Sequence, residues 1–278
     1  MTSTAPTPAS AENVGALRGA RVLIPRGGAW GERVAAEVAR RGGTAIVAPL
    51  ISSAPPRDEA SRDRSFAALA AGDYAWLFVT SAASVEQLAA HGVTVPPTTQ
   101  VAAVGAATAR AVAAVLTPGA QVAFVPSGES SAVAMAAQWC AGRAPAETGR
   151  ALVVRSDLAT AHVSDELQLR GFAVDVCIAY RTVGVDLAED VAGRMRSGDI
   201  DVVLLTSLSV ARELRRQVGP LPASVRVASI GPGTTRDAER IGFTVAHTAR
   251  TQSVDALLAE LDTPLHPTDL AADQKAPS

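Results

Sequence analysis

Short apolar runs alternate with helical runs along the chain from residue 20 onward. The runs typical of strands cover residues 21–25, 44–50, 74–80, 100–104, 121–125, 151–155, 174–180, 201–206 and 226–230. The runs typical of helices lie between them, at 29–42, 81–92, 105–116, 130–142, 159–171, 207–219 and 231–242. Strands without polar alternation are buried on both faces, and strands joined by helices usually pair in parallel. The pattern therefore predicts an α/β fold with doubly wound parallel sheets.

The two halves of the chain repeat the same landmarks at nearly constant spacing. Pairs of equivalent residues are 129 apart in one part of the repeat (26 to 155, 42 to 171) and 126 apart in the other (72 to 198, 80 to 206, 105 to 231). They are Arg26 and Arg155, Gly42 and Gly171, Gly72 and Gly198, Thr80 and Thr206, and Gly105 and Gly231. This register predicts a duplicated α/β unit, and hence two similar domains.

Composition and charge exclude several classes of protein. The 278 residues are 48% hydrophobic with a formal net charge of −2, so a sizeable core is expected and nonspecific nucleic-acid binding is not favoured. No apolar segment approaches the ~20 residues of a membrane span, and the first residues lack the basic and apolar parts of a secretory signal. We therefore expect a cytoplasmic protein that binds neither membrane nor nucleic acid.

Sequence motifs for cofactors and metals are missing from the chain. It contains neither GxGxxG nor GxxxxGK[ST], so no nucleotide cofactor is expected. Cys140 and Cys177 form no CxxC pair, and the four histidines lack the spacing of metal ligands. We expect both cysteines in the core and no metal site.

Hydroxyl groups, glycines and arginines collect where predicted strands end and helices begin. Ligands of parallel sheets bind at that edge, because helix N-termini there present free N–H groups. Any one hydroxyl is more simply explained as a helix cap, but the clustering in both halves favours a site for a polyanion. Arg226 opens its strand, so it lies at the other end unless the chain bends. The candidate ligand-binding residues are Arg26, Ser81, Gly105, Thr108, Arg155, Ser207, Ser209, Arg226, Gly231 and Thr234.

Tyr180 is the last residue of the predicted strand at 174–180, and the last part of the second half of the chain follows it. Two interpretations stay open. The phenol is either a residue at the edge of the core with a satisfied hydroxyl, or a weak acid that reaches into a cleft between the domains.

Six segments occur along the chain in this order: VLIPR, LFVTSAASV, VAAVGAATARAV, VDVCIAYRT, DVVLLTSLSV and VASIGPGTTRDAERIG. With this ordered set, the chain resembles the uroporphyrinogen-III synthase family over roughly residues 20–262. The resemblance implies two α/β domains joined by a two-strand hinge. The first domain comprises 20–46 and 183–262, the second 54–176, and the linker strands 47–53 and 177–182. Composition predicts disordered tails at 1–19 and 263–278.

The resemblance also implies a reaction, in which the linear tetrapyrrole hydroxymethylbilane loses its terminal hydroxyl and closes through a spiro intermediate that inverts the last ring. Functional hydroxyls are expected at Thr108, Ser207, Ser209 and Thr234, although Thr235 competes with Thr234. Arg226 stands where some relatives have lysine. Tyr180 becomes the candidate catalytic residue. We expect a monomer, with the preceding pathway enzyme as a candidate partner.

One alternative from another class remains. Two α/β domains around a hinge are also typical of proteins that bind a small anionic ligand without reacting it. Tyr180 at the crossover favours the enzyme.

Overall fold

The structure is a computed structural model that describes residues 17–116, 122–128 and 130–262. The strands within these ranges are β1 (Arg21–Ile24), β2 (Thr44–Val47), β3 (Ile51–Ala54), β4 (Trp76–Val79), β5 (Gln100–Ala103), β6 (Val122–Phe124), β7 (Ala151–Ser156), β8 (Val174–Gly184), β9 (Val202–Leu205), β10 (Arg226–Ser229) and β11 (His247–Thr248). The helices are α1 (Gly28–Arg40), α2 (Glu59–Ala71), α3 (Ala82–Ala90), α4 (Ala106–Val115), α5 (Ala132–Cys140), α6 (Pro145–Thr148), α7 (His162–Leu169), α8 (Glu189–Ser197), α9 (Leu208–Val218), α10 (Pro232–Arg240) and α11 (Val254–Asp262).

The chain divides into two compact units. Of the described residues, unit 1 contains those up to Ile51 and from Gly184 onward, and unit 2 contains those within Ser52–Val183. The chain therefore crosses from one unit to the other twice, once after β2 and once at the end of β8.

Each unit contains one sheet, and the two sheets share a strand order. Unit 1 has the order β11-β10-β9-β1-β2, and unit 2 has β6-β5-β4-β7-β8 with β3 added beyond β8. The pairs β1–β2, β1–β9, β9–β10, β4–β5, β4–β7 and β7–β8 are all parallel. Equivalent strands, such as β1 and β7 or β9 and β4, are those that the sequence repeat relates. The predicted fold of two similar parallel-sheet domains is confirmed.

Both faces of each sheet are covered by apolar side chains. In β1, Leu23 packs into one core cluster of unit 1, whereas Val22 and Ile24 pack into the other. In β4, Leu77 belongs to one cluster of unit 2 and Phe78 to the other. Successive residues of a strand point to opposite faces, so these runs are apolar at every position because helices cover both sides.

The Gly-Asp pairs of the repeat end equivalent helices. Gly72 follows α2 and Gly198 follows α8, with φ angles of 87° and 81° in the left-handed region. Glycine enters that region without the steric cost that a Cβ imposes. The repeat therefore preserves a backbone requirement as well as a sequence pattern.

The sequence pattern missed four helices, namely α2, α6, α8 and α11. In α2 the apolar residues are spread around the helix and form no clear stripe, and α6 has only four residues. The predicted strand at 44–50 is also too long, because β2 ends at Val47 and Pro49, which lacks an N–H, precedes β3.

The segment predicted as a linker at 177–182 lies inside β8. Pairing with β7 runs from Ala151 opposite Val174 to Ser156 opposite Tyr180. β7 thus pairs with this segment as far as Tyr180, and beyond it the Thr182 N–H donates to Asp157 Oδ1 at 3.0 Å. Tyr180 consequently belongs to the sheet of unit 2.

The predicted N-terminal tail is too long at its inner end. Leu17, the first described residue, is fully buried in a core cluster of unit 1 with Leu257, Leu258 and Leu261. Ala20 donates its N–H to the Leu17 carbonyl at 3.0 Å. The fold therefore includes residues 17–19. Residues 1–16 and 263–278 lie outside the described part of the chain.

Both cysteines are buried and free, as the sequence analysis expected. Burial raises the pKa of the Cys177 thiol to about 11, and burial likewise raises the pKa of Cys140. Across the described ranges, every helix is too short or too polar to cross a bilayer.

We predict that Leu17→Ala lowers the free energy of unfolding by about 2–5 kcal/mol, because it leaves a cavity in a closed apolar cluster. Leu169→Ala is the matched control, since Leu169 is 83% exposed, and it should change the value by less than about 0.5 kcal/mol. Urea unfolding followed by circular dichroism measures both. Equal effects of the two variants would place Leu17 outside the folded unit.

Candidate active site

The Tyr180 hydroxyl lies at the carboxyl edge of the sheet in unit 2. Its oxygen is 3.2 Å from Ser81 Oγ, and Ser81 follows β4 and caps α3. Ser81 Oγ accepts the backbone N–H of Ser84 at 3.1 Å and lies 3.0 Å from Ser84 Oγ. Tyr180 is 7% exposed. The structure thus brings together two predicted site residues that are 99 positions apart in the chain.

Gly105 and Thr108 lie at the next strand end of the same edge. Gly105 precedes α4 and provides no side-chain cap, so the first N–H groups of the helix lack a capping partner from this residue. A Cβ at Gly105 would lie 2.6 Å from Ser130 Oγ. Thr108 is the third residue of α4 and is 4% exposed.

Arg155 turns toward its own loop. Its Nη1 donates to the carbonyl oxygens of Ala159 and, at 3.3 Å, Ser156. Its Nε is buried without a hydrogen-bond partner among the described residues. The guanidinium therefore holds the loop that follows β7, and the charge predicted for a ligand is engaged with backbone carbonyls.

Three predicted residues lie at the carboxyl edge of the sheet in unit 1. The Arg26 guanidinium stacks over the Trp30 ring at 5.1 Å, which joins the end of β1 to the first turn of α1. Ser207 Oγ accepts the backbone N–H of Val210 at 3.3 Å and thereby caps α9. Ser209 is half-buried in the first turn of that helix. The simpler interpretation of the hydroxyls as caps holds for Ser81 and Ser207.

Gly231 and the two threonines that follow it occupy the neighbouring strand end. Gly231 precedes α10 without a side-chain cap, as Gly105 precedes α4. The Thr235 hydroxyl is 2.7 Å from that of Thr248 and donates to the Gly231 carbonyl at 3.3 Å. The Thr234 hydroxyl forms no hydrogen bond to another described residue. Thr234 is therefore the threonine with a hydroxyl available to a ligand.

Arg226 does not join the residues at the carboxyl edge. It opens β10, and its N–H donates to the Asp201 carbonyl at 2.9 Å. The hydrogen bond from Arg21, with a smaller contribution from the charge of Arg226, lowers the pKa of Asp201. Arg226 and Gly231 thus lie at opposite ends of β10, as the sequence analysis expected for a strand without a bend.

Comparison with known proteins identifies the family. The family model described as uroporphyrinogen-III synthase HemD matches residues 32–259, which is most of the chain. The chain belongs to the uroporphyrinogen-III synthase family. A comparison with curated proteins finds no match. The family predicted from the ordered sequence motifs is confirmed, and nothing supports the alternative of a binding protein without catalysis.

Solved structures of synthases share the fold. A mutant uroporphyrinogen III synthase from the extremely thermophilic bacterium Thermus thermophilus is 18% identical, with 87% of this chain and 97% of that chain covered, at a TM-score of 0.59. Uroporphyrinogen-III synthetase from Helicobacter pylori is 14% identical, with 87% and 97% covered, at a TM-score of 0.56. At these identities the likeness concerns the fold.

Two residues gain a role that sequence reasoning had not assigned to them. Ser84 belongs to the segment LFVTSAASV, but its contact with Ser81 appears only in the structure. Trp30 lies in the first turn of α1 and Arg26 precedes that helix, so their contact also appears only in the structure. Within the described ranges, no group of three or more histidine, cysteine, aspartate or glutamate residues could hold a metal ion.

The equivalent glycines of this synthase-family chain should respond differently to alanine. Gly105→Ala places a Cβ 2.6 Å from Ser130 Oγ, so we predict a loss of about 1–3 kcal/mol in the free energy of unfolding from overpacking. Gly231→Ala meets Gln252 Cγ at 3.4 Å, an ordinary contact, and should cost less than about 0.5 kcal/mol. Thermal and urea unfolding of both variants measure the difference. A larger loss for Gly231→Ala would contradict the close packing described at Gly105.

Proposed function

We propose that this chain cyclises hydroxymethylbilane to uroporphyrinogen III and inverts ring D through a spiro intermediate. Membership in the synthase family supports this reaction class. The observation that carries the proposal is the position of the Tyr180 hydroxyl, at a strand end beside the N-terminus of α3. Ligands of parallel sheets bind at this edge.

The edge of each unit suits a flexible substrate with many carboxylates. Gly27, Gly105 and Gly231 precede α1, α4 and α10 without side-chain caps, so backbone N–H groups can donate to carboxylates there. The partial positive charge of a helix N-terminus favours the anion further. The Thr234 hydroxyl and the Arg26 guanidinium add donors of the kind that carboxylates accept. Backbone N–H groups can donate to the carboxylates of the substrate independently of which side chains lie nearby.

The chemical step that needs a residue is departure of the terminal hydroxyl. In our proposal the Tyr180 O–H donates its proton as the C–O bond breaks, and water leaves with both bonding electrons. The resulting azafulvene cation is attacked by the substituted carbon of ring D, which gives the spiro intermediate. The bond between the spiro carbon and the bridging carbon to ring C then breaks and forms again at the free carbon of ring D, and the proton which that carbon loses returns to the Tyr180 phenolate. A positioned proton donor lowers the barrier of the first step.

The protein must above all control the conformation of the substrate. Closure without inversion occurs spontaneously, so acceleration alone would give the wrong isomer. Holding the acid groups on fixed donors restricts the chain to conformations in which ring D presents its substituted carbon. Loss of any single donor should therefore weaken binding more than it changes the reaction.

The location, oligomeric state and partner of the enzyme are further parts of the proposal. We propose a cytoplasmic monomer that can receive its substrate from the preceding pathway enzyme. Analytical ultracentrifugation of the protein alone and mixed with that enzyme measures both oligomeric state and association.

We predict that the protein converts freshly made hydroxymethylbilane into the type III isomer. The product is oxidised to porphyrin and the isomers are separated by chromatography, with a sample lacking protein as the reference for spontaneous closure. Formation of the type I isomer alone would contradict the proposed function.

We predict that Tyr180→Phe lowers kcat by roughly tenfold to a hundredfold, because a positioned acid typically contributes at least ~10²-fold and the leaving group here departs readily. Tyr74→Phe is the matched control, since Tyr74 is the only other tyrosine and its hydroxyl donates to Asp175 at 2.6 Å. The control should lose stability and keep its kcat. An unchanged kcat for Tyr180→Phe would remove the phenol from the mechanism and leave the family assignment intact.

A further inference from the structure

Ser84 is a buried hydroxyl that the proposed mechanism does not use. It is the third residue of α3 and is fully buried, so its hydroxyl cannot touch a substrate. Among the described residues its hydroxyl has one partner, Ser81 Oγ at 3.0 Å. Ser81 in turn lies 3.2 Å from the Tyr180 hydroxyl, so the three side chains form a row from the core to the edge.

Helix capping does not require the Ser84 hydroxyl. The cap of α3 uses the backbone N–H of Ser84, which any residue supplies. In unit 1, Ser207 caps α9 in the same way on the backbone N–H of Val210. Val210 is the equivalent of Ser84 at the offset of 126 residues (84 to 210), and it has no hydroxyl. The Ser84 hydroxyl therefore has a role in unit 2 that has no counterpart at Val210 in unit 1.

The number of hydroxyl protons on these three side chains determines which of them donates each hydrogen bond. A serine hydroxyl has one proton to donate and two lone pairs to accept with. If Ser81 donated to Ser84, the proton of Ser84 would stay unsatisfied in the core, which is costly. If Ser84 donates to Ser81 instead, both lone pairs of Ser81 are filled, by the N–H and the O–H of Ser84. The proton of Ser81 then points to the Tyr180 oxygen.

This direction leaves the Tyr180 proton free. Because its oxygen accepts from Ser81, the phenol donates outward and not into the protein. We propose that Ser84 is a positioning residue that, through Ser81, orients the Tyr180 proton toward the leaving hydroxyl of the substrate. The inference rests on the proposed function and deepens it. Hydrogen bonds in such a row also polarise one another, which makes the phenol a better donor.

The long Ser81–Tyr180 distance is compatible with this role. At 3.2 Å the contact is longer than the usual O–H···O distance. Catalytic hydrogen bonds are often long without substrate and shorten when it binds. The Ser81–Ser84 contact, which sets the direction, already has an ordinary length at 3.0 Å.

The test is a double-mutant cycle on the full chain, with hydroxymethylbilane as substrate. Ser84→Ala should lower kcat by about three- to tenfold, because the bias that frees the phenol proton is lost, and should change KM by less than about twofold. In a Tyr180→Phe background the same substitution should have no further effect on kcat. A purely structural role for Ser84 would lower kcat by the same factor in both backgrounds.

The matched control is Ser164→Ala. Ser164 is also a buried serine at the third position of a helix in unit 2, where its hydroxyl donates to the Ala161 carbonyl at 2.9 Å. It should keep the kcat of the unsubstituted protein. Ser84→Cys, which keeps a side chain of similar shape but is a weak donor, should lower kcat in the same direction as Ser84→Ala. Circular dichroism and urea unfolding verify the fold of each variant.

The outcomes separate the two proposals. If the unsubstituted protein forms no type III isomer, the proposed function fails and this inference fails with it. If type III forms and Ser84→Ala keeps full kcat, or loses as much in the Tyr180→Phe background, the inference is overturned and the proposed function stands. A loss confined to the background that contains Tyr180 supports both.

Discussion

Parallel pairing of strands buried on both faces is the constraint on which the rest of this structure depends. A parallel pair needs a crossover connection, and here helices supply it and cover the sheets. Several strand ends at the carboxyl edge, such as those of β1, β4, β5, β9 and β10, are then followed by a helix N-terminus. Most of the residues proposed for binding lie at these strand ends, because the backbone N–H groups of a helix N-terminus are available to a ligand there.

The pairing of β8 with β7 has a second consequence. It takes a segment that the family resemblance implied to be a linker and fixes it in the sheet of unit 2. Tyr180 is held between its own backbone pairing and the contact of its hydroxyl with Ser81. A proton donor placed on a strand in this way is oriented more precisely than one on a free connection, because the strand cannot move without breaking the ladder.

The two units use the same scaffold with different side chains at its edge. Ser81 and Ser207 cap equivalent helices, and Gly105 and Gly231 begin equivalent helices without side-chain caps. The row of hydroxyls behind Ser81 has no counterpart behind Ser207, where Val210 fills the position. Duplication thus accounts for the donors proposed to hold carboxylates, and the chemistry is proposed for one unit alone.

The sequence by itself determined the fold class, the repeat and the family, because apolar runs, glycine positions and strand-end hydroxyls are local patterns that survive without knowledge of contacts. It failed at α2, where the apolar residues form no clear stripe, and at α6, α8 and α11, and it extended the strand at 44–50 past the end of β2 at Val47. Only the tertiary structure decided which predicted residues meet. It joined Tyr180 to Ser81 and turned Arg155 onto its own loop. The reason is physical: the direction of a side chain and its partner depend on strand register and packing between distant segments, which a linear pattern does not specify.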